Sequence, residues 1–206
     1  DLRIQDNPCL LHLQNTKSSA LFVYILDSLE KEATGEAGRW WLHNSLLKLQ
    51  DSLKDEFNIN LIVVVGEAGS VIKGLIKKYK INEVIWNRLY SQKSINRDSI
   101  IKKSLQKNNI DVQTFNGHLL NEPWEVQNNS GQYFKVFTPY WRRAYEVYKS
   151  KKYQVKDISV IKSLKHQEKS QWNFLPQKKW YLKFEDYWEP GEEAALLKLK
   201  KYINED

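Results

Sequence analysis

Residues 61–86 read Leu61-Ile-Val-Val-Val-Gly-Glu-Ala-Gly-Ser-Val-Ile-Lys-Gly-Leu-Ile-Lys-Lys-Tyr-Lys-Ile-Asn-Glu-Val-Ile-Trp86, and this stretch decides the fold. Its first five residues are continuous, apolar and mostly β-branched, and Gly66 ends them, which is the pattern of a buried strand. Val71, Ile72, Leu75, Ile76 and Tyr79 then recur at helical spacing. Glu83-Val-Ile-Trp86 is a further, shorter strand. Strand, helix and strand in that order form the unit from which parallel sheets are built.

The same alternation extends in both directions. Upstream, Leu21-Phe-Val-Tyr-Ile-Leu26 is a buried strand, followed by a polar loop and a long helix from about Glu36 to Phe57. The apolar stripe of that helix is Leu42, Leu46, Leu49, Leu53 and Phe57, spaced by fours and threes. Before it, Asp6 or Asn7 can cap a short helix that has Pro8 in its first turn and Cys9, Leu10, Leu11 and Leu13 behind it. Downstream, Ile100, Ile101 and Leu105 lie on a helix begun near Asn96, with Asp98 and Lys102 placed for an i,i+4 pair. Asp111-Val-Gln-Thr-Phe115 is the last strand of the series. The fold class is therefore α/β: a doubly wound, Rossmann-like parallel sheet with flanking helices.

In such a series a strand precedes the first helix, and here none does. Doubly wound sheets place that first strand in the middle, so its loss leaves two inner edges unsatisfied. The chain also contains no methionine and begins with Asp1. Both features lead us to expect a segment of a longer protein, with the first central strand missing.

After Phe115 the order changes. Glu122-Pro-Trp-Glu-Val126 and Tyr133-Phe-Lys-Val-Phe137 flank the turn-rich Asn128-Asn-Ser-Gly131, which suits a hairpin-like excursion. Thr138-Pro139 reads as a helix start, with Trp141, Ala144, Tyr145 and Tyr148 at helical spacing beyond it. Phe134, Phe137, Tyr140 and Trp141 are expected to pack the last α/β elements against that helix. The expected division is an α/β domain over 1–148, an irregular interdomain linker over 149–187, and the first helix of a helical domain over 188–206. Pro190, Glu192 and Glu193 suit the start of that last helix.

At 206 residues the chain can build one good core and begin a second unit. No apolar run is long enough to span a bilayer, and nothing in these residues resembles a signal peptide. A single cysteine excludes an internal disulfide framework and a cysteine-based metal site, and fits a reducing, cytoplasmic setting. Net charge is +7, and residues 142–183 alone carry twelve Lys/Arg against three Asp/Glu. Such a field favours anionic partners, although lysines without regular spacing also fit a solvated face.

The usual catalytic patterns are missing. Gly66-Glu-Ala-Gly69 is too short for a phosphate loop and carries the wrong residues. His12, His43, His118 and His166 lack metal-ligand spacing, and no serine sits in a nucleophile elbow. Two features remain. Asn87-Arg-Leu-Tyr90 follows a parallel strand at its carboxyl end, where doubly wound sheets bind ligands. Arg39 stands in the first turn of a helix, against the macrodipole, where a ligand or a carboxylate can hold it. Trp40 and Trp41 read as packing residues.

These residues resemble the DNA photolyase/cryptochrome family. Asp1-Leu-Arg-Ile-Gln-Asp-Asn7 is similar to the end of that family's N-terminal signature, and Gly38-Arg-Trp-Trp-Leu-His-Asn-Ser-Leu46 to its second helix. Val84-Ile-Trp-Asn-Arg-Leu-Tyr90 with Arg97-Asp98, Gly117-His-Leu-Leu-Asn-Glu-Pro-Trp124 and Phe134-Lys-Val-Phe-Thr-Pro-Tyr-Trp141 follow in order and spacing. Trp188-Glu-Pro-Gly-Glu192 is similar to the start of the family's helical flavin domain. The resemblance implies a light-driven repair enzyme. An α/β domain holds an antenna pigment (a folate, a deazaflavin or another flavin), and a helical domain binds FAD and a flipped-out pyrimidine dimer. It implies damaged DNA and the chain's own FAD domain as partners, a monomer, and no catalytic residue in this segment. Asp1, Arg3, Arg39, Asn87 and Arg88 match the family's pigment-side positions at the sheet's carboxyl edge. Lys93-Ser94 and Leu89 and Ser91 stand where folate-binding and deazaflavin-binding members carry their selecting residues, so the match selects neither pigment. A cryptochrome-like photoreceptor and a stand-alone nucleotide- or flavin-binding module are the alternatives.

Overall fold

The computed structural model describes residues 1–27, 34–151, 157–166, 168 and 172–205. The polar loop expected after the first strand, at 28–33, and the linker lysines Lys152, Lys156 and Lys169 lie outside the described residues. The strands are β1 (Ser19–Ala20), β2 (Phe22–Leu26), β3 (Leu61–Val65), β4 (Glu83–Asn87), β5 (Asp111–Phe115) and β6 (Lys162–Ser163). The α-helices are α1 (Pro8–Thr16), α2 (Glu36–Phe57), α3 (Ala68–Tyr79), α4 (Gln92–Lys107), α5 (Phe137–Ser150) and α6 (Glu192–Glu205), and a 3-10 turn spans Trp180–Phe184.

Every strand pairing is parallel, but the sheet comes in pieces. β2 pairs with β3 from Phe22↔Leu61 to Leu26↔Val65, and β4 with β5 from Glu83↔Asp111 to Asn87↔Phe115. β1 pairs with β6. Among the described strands nothing joins β2 to β4. The two main pairs nevertheless form one layer, because they share faces. On one face Phe22 and Tyr24 of β2 and Ile85 of β4 pack with α1 and α2, around Leu10, Leu13, Leu46 and Leu53. On the other face Ile25 of β2 and Val84 and Trp86 of β4 pack with α3 and α4, around Ala68, Ile101 and Leu105. Alternation of side chains along a strand produces this sorting.

Local chemistry explains the helix ends. Asn7 caps α1, its side chain accepting from Cys9 N–H, with Pro8 at the first position. Glu67 caps α3 by accepting from the N–H groups of Gly69 and Ser70, and the Ser70 side chain, followed by these backbone bonds, holds its carboxyl below the usual glutamate range. Lys17, Asn58 and Lys80 close α1, α2 and α3 in the left-handed conformation. The expected stripe of α2 faces the core, where Leu46 is fully buried. Burying such a leucine is worth about 1.5–3 kcal/mol.

Several expectations need correction. α4 begins at Gln92 rather than near Asn96, because the Ser91 side chain accepts from Ser94 N–H and caps it earlier. Asp98 pairs with its neighbour Arg97 at 2.9 Å instead of Lys102. α5 starts at Phe137 behind Val136, without the Thr138 cap. The excursion around Asn128 is a turn, closed by Gln132 O accepting from Asn128 N–H, and its flanks form no strands. The aromatic cluster does not fill an interface. Phe137 is 70% exposed and Trp141 51% exposed, the two rings lying stacked on α5.

The segment after α5 is irregular but not peripheral. Ile158, Ile161 and Phe174 enter the larger core, and β6 lies beside β1. Further on, the Glu192 carboxylate at the start of α6 accepts from the backbone N–H groups of Ile4 and Gln5. Trp40, buried, packs edge-on against Phe184, while Trp41 lies against Trp188. Both tryptophans are packing residues, as read from the sequence.

Candidate functional site

The carboxyl ends of β4 and β5 carry a connected polar cluster. Asn87 ends β4, and its amide nitrogen donates to Asp1 Oδ2 at 2.9 Å and to Asn7 Oδ1 at 3.1 Å. Its amide oxygen accepts from Cys9 Sγ at 3.1 Å. Asn7 in turn donates to the carbonyl of Arg3. Arg3 donates to the carbonyl of Gly117, beyond β5, and lies 3.4 Å from the Asp1 carboxylate. One asparagine thus ties the chain start, the cap of α1 and a strand end together.

Gly117 is required by this arrangement. A Cβ there would stand 2.7 Å from Asn87 Cγ, closer than real side chains approach. Burial pushes the Cys9 thiol up to about 12, so it stays a protonated donor to Asn87. Burial lowers the pKa of nearby His118.

Arg88, the next residue along, points into a different set. Its guanidinium holds Glu122 through Nε and Nη2 and the carbonyl and hydroxyl of Thr114 through Nη1. The Glu122 side chain is buried, and the ring of Trp124 lies 5.6 Å from the guanidinium carbon. Arg88 therefore pins the post-β5 loop to the sheet edge and places an exposed tryptophan beside the cluster.

Of the five residues marked in the sequence, Asp1, Arg3 and Asn87 meet in one network, with Arg88 beside it. Arg39 lies apart on α2, 3.6 Å from Glu36, whose carboxylate also accepts from Trp180. Sequence reasoning marked none of Asn7, Cys9, Gly117 and Glu122 as site residues. The available signals were Asn7 as a helix cap and Glu122 in the run preceding Trp124.

The network stands at the polar end of a cavity of about 620 Å³ that continues between β2 and β4. Arg3 Nε is buried there and makes no hydrogen bond, its nearest partner being the Asp1 carboxylate at 3.4 Å. A planar heteroaromatic ligand with carbonyl or ring-nitrogen acceptors fits this combination of a guanidinium, a carboxylate and apolar walls. Among the described residues no group of His, Cys, Asp and Glu could hold a metal ion, and no helix is long and apolar enough to cross a membrane.

A parallel α/β layer with its polar cluster at the carboxyl edge belongs to the doubly wound class, which binds nucleotides and related heterocycles at that edge. The chain belongs to the DNA photolyase family, whose model, described as DNA photolyase, matches residues 1–158. It is 35% identical to a deoxyribodipyrimidine photo-lyase of Agrobacterium fabrum, over 99% of this chain and 43% of that protein. It is 33% identical to cryptochrome-2 of Arabidopsis thaliana, over 71% of this chain and 24% of the relative. A crystal structure of a bacterial class III photolyase from Agrobacterium tumefaciens superposes with a TM-score of 0.84 at 31% identity, covering 99% of this chain and 43% of that one. A Synechocystis cryptochrome shares the fold, with a TM-score of 0.81 at 20% identity over 98% of this chain and 44% of that one. The chain thus spans less than half the length of these relatives.

Proposed function

We propose that this chain is the light-harvesting α/β part of a blue-light-driven DNA photolyase that repairs cyclobutane pyrimidine dimers. The observation that carries the reading is the Asp1–Arg3–Asn87 network at the carboxyl edge of β4, in a chain matched to the family over 1–158. In this reading Arg3 and Asp1 orient an antenna pigment through its polar edge, Asn87 holds both in place, and Arg88 fixes the neighbouring loop with Trp124. Arg39 serves at the first turn of α2, away from this network. When bound, the pigment supplies light absorption, and reduced FAD on a helical domain supplies the electron that splits the dimer. Residues 1–148 form the antenna domain, 149–187 the linker and 188–206 the entry to the helical domain. The working protein is a cytoplasmic monomer whose partner is damaged DNA, and the basic segment 142–183 favours that polyanion.

The test joins this chain to a helical FAD-binding domain and illuminates the product with ultraviolet-damaged oligonucleotide. Loss of the dimers under blue light, with the flavin reduced, is expected. A product that carries reduced flavin and binds no damaged DNA at low salt contradicts repair and supports the second reading, a cryptochrome-like photoreceptor. The identity to a plant cryptochrome favours that alternative.

A further inference from the structure

Residues 3–7 carry Arg3 into the polar cluster without the support of a helix or a strand. One peptide group, held at both ends, fixes them. The Arg3 carbonyl accepts from Asn7 Nδ2 at 2.9 Å. The Ile4 N–H, on the other side of the same planar unit, donates to Glu192 Oε2 at 2.6 Å. The next N–H, of Gln5, donates to Glu192 Oε1 at 2.8 Å. A peptide plane gripped by its oxygen and its nitrogen cannot turn over, so the direction in which the Arg3 side chain leaves the backbone is set.

Glu192 reaches this loop from far along the chain and from a rigid platform. It is the first residue of α6, and Gly191 before it has a φ of +113°. A Cβ on Gly191 would stand 3.1 Å from Lys48 Cβ, so the start of α6 sits directly on α2. Pro190 and Ala194 are buried on either side of Glu192, whereas Leu197, Tyr202 and Ile203 further along are exposed. The first turn is therefore what seats α6, and the same turn carries the carboxylate that grips the loop.

We propose, on the antenna reading of this edge, that Glu192 is a positioning residue for the ligand site. Its carboxylate fixes Arg3 through the Arg3–Ile4 peptide, and so ties the seating of α6 to the hold on the pigment. A carboxylate suits the task because both oxygens are used at once, and bonds to a charged acceptor are short and strong. A long arginine side chain, by contrast, keeps its direction only when its backbone is held. Glu193, the next residue on the same turn, is exposed and has the same charge, which makes it the control for charge at the helix start.

The test compares this chain with Glu192→Ala, Glu192→Gln, Glu193→Ala, Arg3→Ala and the Arg3→Ala/Glu192→Ala pair, each checked for fold by its urea midpoint. Without pigment, deuterium exchange at Ile4 and Gln5, followed by NMR, should quicken about tenfold in Glu192→Ala, with β3 unchanged and Glu193→Ala like the parent. Glu192→Gln keeps one oxygen acceptor and should fall between; if Glu192→Ala does not fold, it carries the same comparisons. Methenyltetrahydrofolate, deazariboflavin and riboflavin are then titrated in turn. The pigment that the parent retains should bind about tenfold more weakly to Glu192→Ala, the loss that one bond to a charged group brings. It should bind the double variant no more weakly than Arg3→Ala, because both changes remove the same hold. Unchanged exchange at Ile4 and Gln5, an equal effect of Glu193→Ala, or a full further loss of affinity in the double variant overturns the proposal. If the parent retains none of the three pigments, the antenna reading fails, and the positioning of Arg3 by Glu192 stands or falls on the exchange result alone.

Discussion

The two halves of the sheet are built to different standards. The β2–β3 half rests on a cluster that includes Leu46 and Ile59, both without exposed surface, and draws in Ile158, Ile161 and Phe174 from the late segment. The β4–β5 half rests on three buried residues, Ala68, Ile101 and Leu105, with part-exposed neighbours. Yet the polar network sits at the weaker half, on Asn87 and Gly117. The difference teaches a division of labour. One half provides stability, and the other holds polar groups beside open space, where a ligand can reach them.

The comparison breaks most readily at Leu46. Leu46→Ala is expected to cost about 4 kcal/mol in urea unfolding, because its surroundings have no room to relax. Ile101→Ala, in the lining of the 620 Å³ cavity, should cost only about 2 kcal/mol, since open space already adjoins its side chain. Equal losses would mean that the halves are equally packed. Gly117→Ala drives a Cβ into Asn87 and should cost about 1–2 kcal/mol by overpacking, while also reducing pigment binding. The effect should be smallest on the aromatic ladder of α5. Phe137→Ser should change stability by less than about 0.5 kcal/mol, because the ring is mostly in water. A larger loss would show that the ladder belongs to the core.

The strands and most helices were legible in the sequence because their signals are local. β3 and β5 have the bounds read from their apolar patterns, and β4 runs one residue further, to Asn87. What was not legible depends on partners distant in the chain. Nothing near Ile158 or Phe174 reveals that they join a core built from residues 4–63. The hairpin flanks have strand composition but no strand to pair with. Phe134, Phe137 and Trp141 look like packing residues because composition does not say which face is covered. At the site, Asp1, Arg3 and Asn87 were marked by position and resemblance. Gly117 and Glu122 were missed as site residues because their importance lies in one close approach to Asn87 and one buried pair with Arg88.

The measurement that bears most directly on the antenna reading is the absorption spectrum of the purified chain after incubation with a folate, a deazaflavin and a flavin in turn, followed by gel filtration. One pigment should remain with the protein, and Arg3→Ala should reduce its retention at least tenfold while leaving the urea midpoint close to that of the parent. A spectrum showing tryptophan and tyrosine alone after all three incubations, or full retention by the Arg3→Ala variant, would contradict it.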